Sequence, residues 1–559
     1  MGSIYKNIDS TYKEMKIEGG IYNYYTPANI HSDFFVTIYK LLFEGIRLGG
    51  LLHDIGHPPY SHISENALNQ LHAHLTQKQT KNQREAEFLN ILRDMVGDDH
   101  QLHEEMGSKI ADILLLEAIP DISESEAKNK DTYETQVYRI LTKEIALRIL
   151  KESSPFFRDL HAIIDGTLDG DRLDYVSRDP KNSGFQLGQT EFDRLIHKMK
   201  LCKFQSFYLF CPSSSTVSAV EDFLMKRWNL YKNIIFHHRV VKTDYLLQNI
   251  IIKIAEDYFK ELPPNQVLLP EENDSYILPY NISGLWKANR ELVSYKETAY
   301  SINQWTDAWL LTILKTAYFQ TYIDQESYLH DQLEEFLTNK KHYDSLVKRR
   351  EEFQEIDSSA SQAIADRSCE LEKAIAALKL RSKNLDNKKP VFDIAGYLNS
   401  VEAILNTTKN NQDKSFAEKG GFILSFVKKK IFYELTPFST ILEQTREQLG
   451  FEQGELFYAE KIPTAGTSKG LYFYQPTAKD VSLVPLEKIS NISNVLNDNV
   501  LYSPFFFLYL NKKSSKKEDF HELRKKIGTE IGNQIVNYIL NRINSFMTSD
   551  GMPEKGPPG

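Results

Sequence analysis

Residues 51–62, LLHDIGHPPYSH, carry the pattern that decides the fold of this chain. They follow a segment, residues 36–52, in which apolar side chains recur at helical spacing. The glycine and the two prolines of the stretch end that helix, so the adjacent His53 and Asp54 lie at its end. An imidazole beside a carboxylate suits a divalent ion, and a further histidine at His57 suits proton transfer. The stretch therefore predicts a helical protein with a metal site at a helix end.

The composition is that of a globular protein, with 41% apolar and 26% charged residues among 559. Its three cysteines, Cys202, Cys211 and Cys369, are too few for a disulfide framework. A formal charge of −9 argues against a protein that mainly coats nucleic acid, which is therefore not a favoured partner. The first residues, MGSIYKNIDS, lack the basic-then-apolar order of a secretory signal. Apolar runs of membrane-spanning length are also missing. We expect a cytoplasmic protein without a membrane partner.

The expected fold class is mainly α, with a helical catalytic core, a helical extension and a small α+β region near the C-terminus. Helices are predicted over residues 103–119, 132–151, 157–180, 191–201, 217–231, 240–260 and 529–546. The charged segment 330–388 predicts a solvated helical hairpin rather than a coiled coil, because sustained heptads are missing. The aromatic stretches GLYFYQP and SPFFFLYLNKK predict strands. The expected division is a catalytic domain at 1–260, an extension at 261–415, the α+β region at 416–548 and a disordered tail at 549–559.

A second informative stretch is LDGDRLDYVSRD, residues 168–179. If it is helical, Asp171, Tyr175 and Arg178 lie on one face of the helix. A carboxylate there could complete the ligand set of an ion, the phenol could stack on a sugar or base, and the guanidinium could pair with a phosphate. The alternative is a surface helix in which the aspartates and arginines of the stretch satisfy one another.

The two stretches together resemble the HD-domain superfamily, and within it the deoxynucleoside triphosphate triphosphohydrolases, such as the bacterial dGTPases and the animal sterile-alpha-motif HD enzymes. The blocks HDIGHPPYSH, HEEMGS, DGDRLDYVSRD and FHHRVVKTD stand in the family's order within about residues 47–260. Four separated blocks in order are far more specific than one HD dipeptide. An HD-type helical core is therefore expected for this part of the chain.

The resemblance implies roles for individual residues. Tyr175 matches a tyrosine that packs on the deoxyribose, Asp179 an acid that reads the 3′-hydroxyl, and Arg172 a phosphate-binding lysine. The block FHHRVVKTD is similar to a basic helix that holds the triphosphate. The predicted site therefore comprises metal ligands His53, Asp54, Asp171 and His31, catalytic residues His57, His103 and Glu104, and substrate-binding residues Arg172, Tyr175, Arg178, Asp179, His237, His238, Arg239 and Lys242.

The chain departs from the family pattern at two places. The family's first metal ligand is a histidine in an Arg-x-x-His-Ser motif, whereas here His31 is preceded by Ala28 at the arginine position. His31 either ligates from an altered backbone, or three protein ligands share the ion with water. Val241 stands near the place of a tyrosine that crowds a ribose 2′-hydroxyl, which leaves discrimination against ribonucleotides open. Outside these blocks, His62, His72, His74 and His100 are expected to be plain surface histidines.

The implied activity is hydrolysis of a deoxynucleoside triphosphate, dGTP-like, to the deoxynucleoside and inorganic triphosphate. The implied cofactor is Mn, Fe or another transition metal at the HD site, with Mg on the phosphates. Family members form homo-oligomers, often with deoxynucleoside triphosphates as activators, and a role in antiphage defence would fit. Two alternatives stay open: a nucleotide-sensing or scaffold protein on a degenerate HD fold, and an HD phosphodiesterase acting on cyclic or oligonucleotides.

Overall fold

The structure is a computed structural model that describes a large part of the chain in separate stretches. These are residues 12–15, 24–27, 33–93, 102–120, 130–188, 192–204, 207–260, 278–289, 295–384, 401–402, 423, 437–461, 470–476, 481–496, 505–515 and 519–548. Three features of the sequence analysis lie outside the described residues: the predicted ligand His31, Ala28 at the arginine position before it, and the predicted tail at 549–559. Everything below refers to the described stretches.

Helices dominate the first half of the chain. The elements are β1 (Tyr12–Met15), β2 (Tyr24–Pro27), α1 (Asp33–Leu52), α2 (His62–Gln77), α3 (Gln83–Leu92), α4 (Leu102–Ala118), α5 (Lys130–Leu150), α6 (Pro155–His161), α7 (Gly170–Asn182), α8 (Phe192–His197), β3 (Met199–Phe204), β4 (Phe207–Pro212), α9 (Val217–Leu230) and α10 (His238–Phe259). The predicted helix before the HD pair is confirmed as α1.

The second half adds helices and short strands. They are α11 (Gly284–Lys287), α12 (Tyr295–Gln304), α13 (Asp307–Ala317), α14 (Tyr328–Thr338), β5 (Tyr343–Val347), α15 (Arg350–Asp366), α16 (Ser368–Asn384), α17 (Pro437–Gln448), β6 (Leu456–Glu460), β7 (Tyr472–Pro476), β8 (Val481–Pro485), β9 (Phe506–Asn511), α18 (Lys512–Ser515) and α19 (Phe520–Thr548). The mainly α fold class and the two predicted aromatic strands, β7 and β9, are confirmed. Within the described stretches, no helix is both long and apolar enough to span a bilayer.

Two predicted helices are wrong in part. The pattern at 157–180 predicts one helix, but α6 ends at His161 and α7 begins at Gly170. The pattern at 191–201 predicts a helix, but α8 ends at His197 and the chain continues as β3, which pairs antiparallel with β4. The strands β3 and β4 bury Cys202 and Cys211 in a cluster with Tyr474 on β7. Burial of one face of this hairpin against β7 is a tertiary contact that outweighs the local helical pattern.

The described strands form small antiparallel sheets. β1 pairs with β2, β3 with β4 and β7 with β8, and a three-stranded sheet has the order β5-β9-β6. In that sheet Ser345 pairs with Tyr509, and Phe457 pairs with the same residue on the opposite side. All six residues of β9 are buried, as expected for the central strand of a packed sheet.

The chain divides into two compact units, and the fourfold division expected from the sequence stays a prediction. The first unit comprises residues 1–235, 247–320 and 464–496. In it α1 packs against α5, and Gly45 permits this contact because a Cβ there would overlap the side chain of Ile145. Ile46, Ile149 and Leu160 form part of the adjoining core. This packing fixes the direction of α1 and therefore the place where the HD pair emerges.

The second unit comprises residues 236–246, 321–463 and 497–559. Its core joins α15 to α19 and the β5-β9-β6 sheet. Gly528 and Gly532 of α19 lie against the backbone of Ile356 and Ala360 of α15, so closely that a Cβ at either glycine would overlap it. The charged segment around α15 is therefore half-buried rather than solvated on all sides, because its apolar stripe packs on α19.

Candidate active site

Three predicted metal ligands come together in the first unit. His53, Asp54 and Asp171 each offer one ligand atom, and these atoms all lie within 4.8 Å of one another. His53 Nδ1 is 2.8 Å from the carbonyl of Gly50 and donates to it, so Nε2, which lies 3.1 Å from Asp54, is the atom that could bind an ion. Asp171 is held at the start of α7, because the carboxylate of Asp169 caps that helix. The helix end and the helix start thus present an imidazole and two carboxylates to one point.

The electrostatics of this group favour a cation. The hydrogen bond from His53 to Asp54, at 3.1 Å, is the main reason that the pKa of His53 is raised to about 9. The pKa of Asp54 is lowered, first by its hydrogen bond with His53 and then by that with His57. Burial, followed by the charge of Asp54, raises the pKa of Asp171. A divalent ion that displaces the proton of His53 would relieve the repulsion between the carboxylates of Asp54 and Asp171, so these three donors fit a metal.

A second group of donors adjoins the first and centres on a buried acid, Glu65 of α2. Glu65 is 5% exposed, and both of its carboxylate oxygens lie 3.1 Å from His103 Nδ1. Its Oε2 also lies 3.0 Å from His62 Nδ1. The His103 ring stacks on that of His57, with the ring centroids 4.2 Å apart. His57, His62, Glu65 and His103 form the second group with ligand atoms within 4.8 Å of one another.

Glu65 and His103 behave as an ion pair. Burial is the largest influence on the pKa of Glu65 and raises it, but the hydrogen bonds with His103 and His62 together lower it well below its usual range. For His103, burial has the opposite effect and lowers the pKa. The hydrogen bond with Glu65 and the charge of Glu65 outweigh burial, so the pKa of His103 is raised overall. The imidazole of His103 therefore holds a proton more strongly than an ordinary histidine, which is the property of a general acid.

Close backbone packing brings the two groups together. A Cβ at Gly56 would overlap the carbonyl of His103 and the backbone of Gly107, so only glycine permits this approach of the HD turn to α4. Both groups open into a cavity of about 850 Å³. The other polar residues of its wall are Glu104, Glu105, Ser108, Lys109, Asp112, Lys151, Glu152, His161 and Asp165.

The predicted substrate-binding residues of α7 have local partners. The Arg172 guanidinium lies 3.4 Å from Asp169 and 3.7 Å from Asp165. The exposed Arg178 pairs with Asp174 at 2.5 Å and with Asp179 at 3.1 Å, which is the ion-paired arrangement left open by the sequence. Their roles toward a phosphate or a sugar stay predictions.

Tyr175 lies on the same helix in a more buried place. Its hydroxyl accepts a hydrogen bond from Arg227 Nε at 3.0 Å and lies 3.5 Å from the Tyr231 hydroxyl. Burial is the main reason that the pKa of Tyr175 is raised. The phenol therefore remains neutral and held in place, as a residue that packs on a sugar would be.

The remaining predicted residues belong to the second unit. His237 and Arg239 are exposed, whereas His238 Nδ1 lies 3.3 Å from the Ser345 hydroxyl. Burial, followed by the charge of His237, lowers the pKa of His238 to about 4. Lys242 is buried and forms an ion pair with Glu335, which neutralises its charge. Triphosphate binding by this block stays a prediction.

Glu65 and His62 are the site residues that sequence reasoning missed. His62 lies at the surface as expected, with its side chain 65% exposed, but the expectation that it belongs to no group of functional residues is wrong, because it hydrogen-bonds Glu65 within the second donor group. Glu104, the predicted acid beside His103, is exposed and lines the cavity, while the acid hydrogen-bonded to His103 is Glu65. The spacing of His62 and Glu65, one turn apart at the start of a helix, was the available signal.

The relatives of this chain are distant. No family model matches it. It is 23% identical over 201 residues to the deoxynucleoside triphosphate triphosphohydrolase SAMHD1 homolog of Dictyostelium discoideum, covering 35% of this chain and 31% of the relative. It is 25% identical over 213 residues to the uncharacterized protein MG461 homolog of Mycoplasma pneumoniae, covering 38% and 42%. The matches thus span less than half the length of these relatives.

Among solved structures, a phosphohydrolase from Bacteroides thetaiotaomicron aligns over 85% of this chain and 80% of its own, with 14% identity and a TM-score of 0.40. The chain is therefore similar in sequence, over part of its length, to a relative named as a triphosphohydrolase, and its first unit holds the histidine–aspartate group described above.

Proposed function

We propose that this chain hydrolyses deoxynucleoside triphosphates, dGTP-like, to the deoxynucleoside and inorganic triphosphate in a metal-dependent reaction. One observation carries the proposal: His53, Asp54 and Asp171 line the same cavity as His103, whose ring is hydrogen-bonded to Glu65. Metal ligands beside a proton donor are what displacement at phosphorus requires. The Dictyostelium relative bears the name of this activity, which supports the choice of substrate class.

The metal would be held by His53, Asp54 and Asp171, with His31 as the further predicted ligand. Nitrogen and carboxylate donors suit Mn, Fe or another transition ion, whereas Mg suits the oxygens of the phosphates. When bound, such an ion supplies Lewis-acid polarisation of a phosphoryl oxygen.

His103 is the proposed general acid. Water attacks the α-phosphorus and releases a proton to the solvent, the bond between that phosphorus and the 5′-oxygen breaks, and the 5′-oxygen takes a proton from His103. Glu65 engages Nδ1 of His103, so Nε2 is the atom left to donate that proton. His57, stacked on His103 and 3.3 Å from Asp54, links this donor to the ligand group. Glu104 lines the cavity, and its negative charge adds to the rise in the pKa of His103.

The family resemblance also implies an oligomeric state, a form of regulation and a biological role. We propose a homo-oligomer that deoxynucleoside triphosphates also activate, and depletion of these nucleotides as an antiphage defence. Substrate contacts by Tyr175, Arg178 and Asp179 and triphosphate contacts by His237, Arg239 and Lys242 belong to the same proposal.

A chromatographic assay tests the activity. Purified protein is incubated with each of the four deoxynucleoside triphosphates and with mixtures, in Mn and Mg, beside the Asp54→Ala variant. We expect deoxynucleoside and triphosphate to form with the unsubstituted protein and not with the Asp54→Ala variant. If turnover requires a mixture of deoxynucleoside triphosphates, one nucleotide activates hydrolysis of another. Binding without turnover under every condition would contradict the proposal and favour the nucleotide-sensing alternative.

A second candidate function is a phosphodiesterase acting on cyclic or oligonucleotides. It is favoured by the second donor group, His57, His62, Glu65 and His103, because two neighbouring ions can clamp a phosphodiester. Cyclic dinucleotides and single-stranded DNA in the same assay separate the two functions. Cleavage of these substrates without release of triphosphate would establish this alternative.

A further inference from the structure

We propose that Asp307, at the first position of α13, is a positioning residue that holds the turn carrying the acid–base group of the active site. The inference rests on the proposed function, since it names a residue on which that reaction depends. Asp307 contributes no atom to either donor group. Its carboxylate instead accepts a hydrogen bond from the backbone N–H of Tyr60, at 2.7 Å, across 247 positions of sequence.

The turn that Asp307 holds is strained. Tyr60 has φ 58° and Ser61 has φ 51° with ψ −129°, and neither residue is glycine. Side chains of L-residues make these conformations unfavourable, and two in succession persist only when the surroundings enforce them. Strain of this kind concentrates at functional sites.

The backbone groups of the turn identify what enforces it. Within the turn, the Ser61 N–H donates to the Pro58 carbonyl at 2.7 Å, and the Glu65 N–H donates to the Ser61 carbonyl at 3.2 Å. These bonds are local and travel with the turn. The Tyr60 N–H is different, because its acceptor, Asp307, lies on another helix. Removing that acceptor takes from a backbone donor in a strained turn its hydrogen bond to a second helix.

The turn sets the positions of several reacting groups at once. The Ser61 hydroxyl lies 3.1 Å from His57 Nδ1 and so orients that ring. Directly after Ser61, α2 begins with His62, and one helical turn later Glu65 reaches His103. A rotation at Tyr60 and Ser61 would therefore move His57 and Glu65 relative to His103.

The segment before Asp307 supports the other side of the site as well. Thr306, directly before Asp307, accepts the Trp309 N–H at 3.3 Å at the start of α13. Trp305 packs in one core cluster with Met106 and Ile110 of α4, the helix that carries His103. One short segment thus contacts both the turn before α2 and the helix α4, which lets it hold their relative positions.

Steady-state kinetics of three variants test this role. Asp307→Ala removes the acceptor, Asp307→Asn keeps a carbonyl oxygen for the Tyr60 N–H, and Thr306→Ala is the matched control that weakens the same helix start without touching Tyr60. We expect Asp307→Ala to lower kcat by on the order of 10- to 100-fold, as a misplaced reacting group does, with KM within about threefold. Asp307→Asn should restore most of kcat, and Thr306→Ala should retain it.

Hydrogen exchange gives a readout that does not depend on turnover. The peptide spanning Tyr60 to Glu65 should exchange faster in Asp307→Ala than in Thr306→Ala or the unsubstituted protein. Equal kcat in Asp307→Ala and Thr306→Ala, failure of Asp307→Asn to restore kcat, or unchanged exchange would each overturn the inference. Absence of turnover in the unsubstituted protein would instead overturn the proposed function, and the exchange result would then decide whether Asp307 holds the turn.

Discussion

Replacing Glu65 by glutamine is the perturbation whose consequence the structure specifies most fully. The glutamine keeps the size of the side chain and an oxygen that can accept from His103, but it removes the negative charge. That charge lies in a place where the side chains of Glu65 and His103 are only 7% and 11% exposed. The raised pKa of His103 depends on it, because burial alone would lower that pKa. In the variant, His103 should therefore lose its proton at lower pH.

The expected loss of activity follows from that change. A positioned general acid contributes about 10²- to 10⁴-fold to a rate, so at pH 8 the variant should lose a factor in this range. At pH 6 the loss should be smaller, since more of the variant's His103 is protonated there. Deoxynucleoside release measured from pH 5.5 to 9 checks this, beside Glu104→Gln, whose exposed carboxylate should have the weaker effect. A variant that keeps the unsubstituted rate and pH profile would refute the assignment of the Glu65–His103 pair.

The same substitution has a stability consequence with a defined sign. The folded-state pKa of His103 lies above its ordinary value of 6.5, so its contribution is present below that value and lost as pH rises through the raised pKa. Glu65 has a lowered pKa, so its contribution is present above 4.5 and lost as pH falls. The variant's deficit in free energy of unfolding should be about 1–3 kcal/mol near pH 6 and should shrink toward pH 9. Denaturant titrations at both pH values measure it.

Three further predictions concern other parts of the structure. Gly56→Ala should lower the free energy of unfolding by about 1–3 kcal/mol and remove most activity, because the new Cβ would overlap the backbone of α4. Gly50→Ala is the control, since the atom nearest to a Cβ there is 4.0 Å away. Thermal unfolding and turnover of both variants check this. Asp171→Asn should lower the bound transition metal per chain, measured by elemental analysis, and an unchanged metal content would contradict the ligand assignment. Lys242→Met should destabilise the protein by about 3–5 kcal/mol in urea titrations, since Glu335 would be left buried without its partner, and an unaffected stability would show that the pair is dispensable.

The sequence predicts the first ligand group because its geometry is local. His53 and Asp54 are adjacent at a helix end, and the helix start at Gly170 fixes where Asp171 lies relative to its own helix. Helical periodicity also predicts α1, α4 and α10 well, since each is long and amphipathic. Packing of α1 on α5 through Gly45 and of the HD turn on α4 through Gly56 sets where the HD pair lies, and the sequence does not show which residues these glycines contact.

Other features could not be predicted because their partners are distant in sequence. Glu65 pairs with a histidine 38 positions away, and Asp307 with a backbone group 247 positions away. The pattern at 191–201 predicts helix where β3 begins, because the contact that stabilises the β3–β4 hairpin is with Tyr474, far along the sequence. The common helical face of Asp171, Tyr175 and Arg178 was a sound inference from spacing, yet Arg178 pairs with aspartates of its own helix.

The most direct test of the central claim is hydrolysis of dGTP in water enriched in ¹⁸O, after which the products are separated and their masses are measured by mass spectrometry. Attack of water on the α-phosphorus with departure of the 5′-oxygen predicts unlabelled deoxyguanosine and triphosphate that carries one ¹⁸O atom. Labelled deoxyguanosine would contradict the account, and so would release of a nucleoside monophosphate with pyrophosphate. Turnover by the unsubstituted protein that is no greater than that of the Asp54→Ala variant would also contradict it.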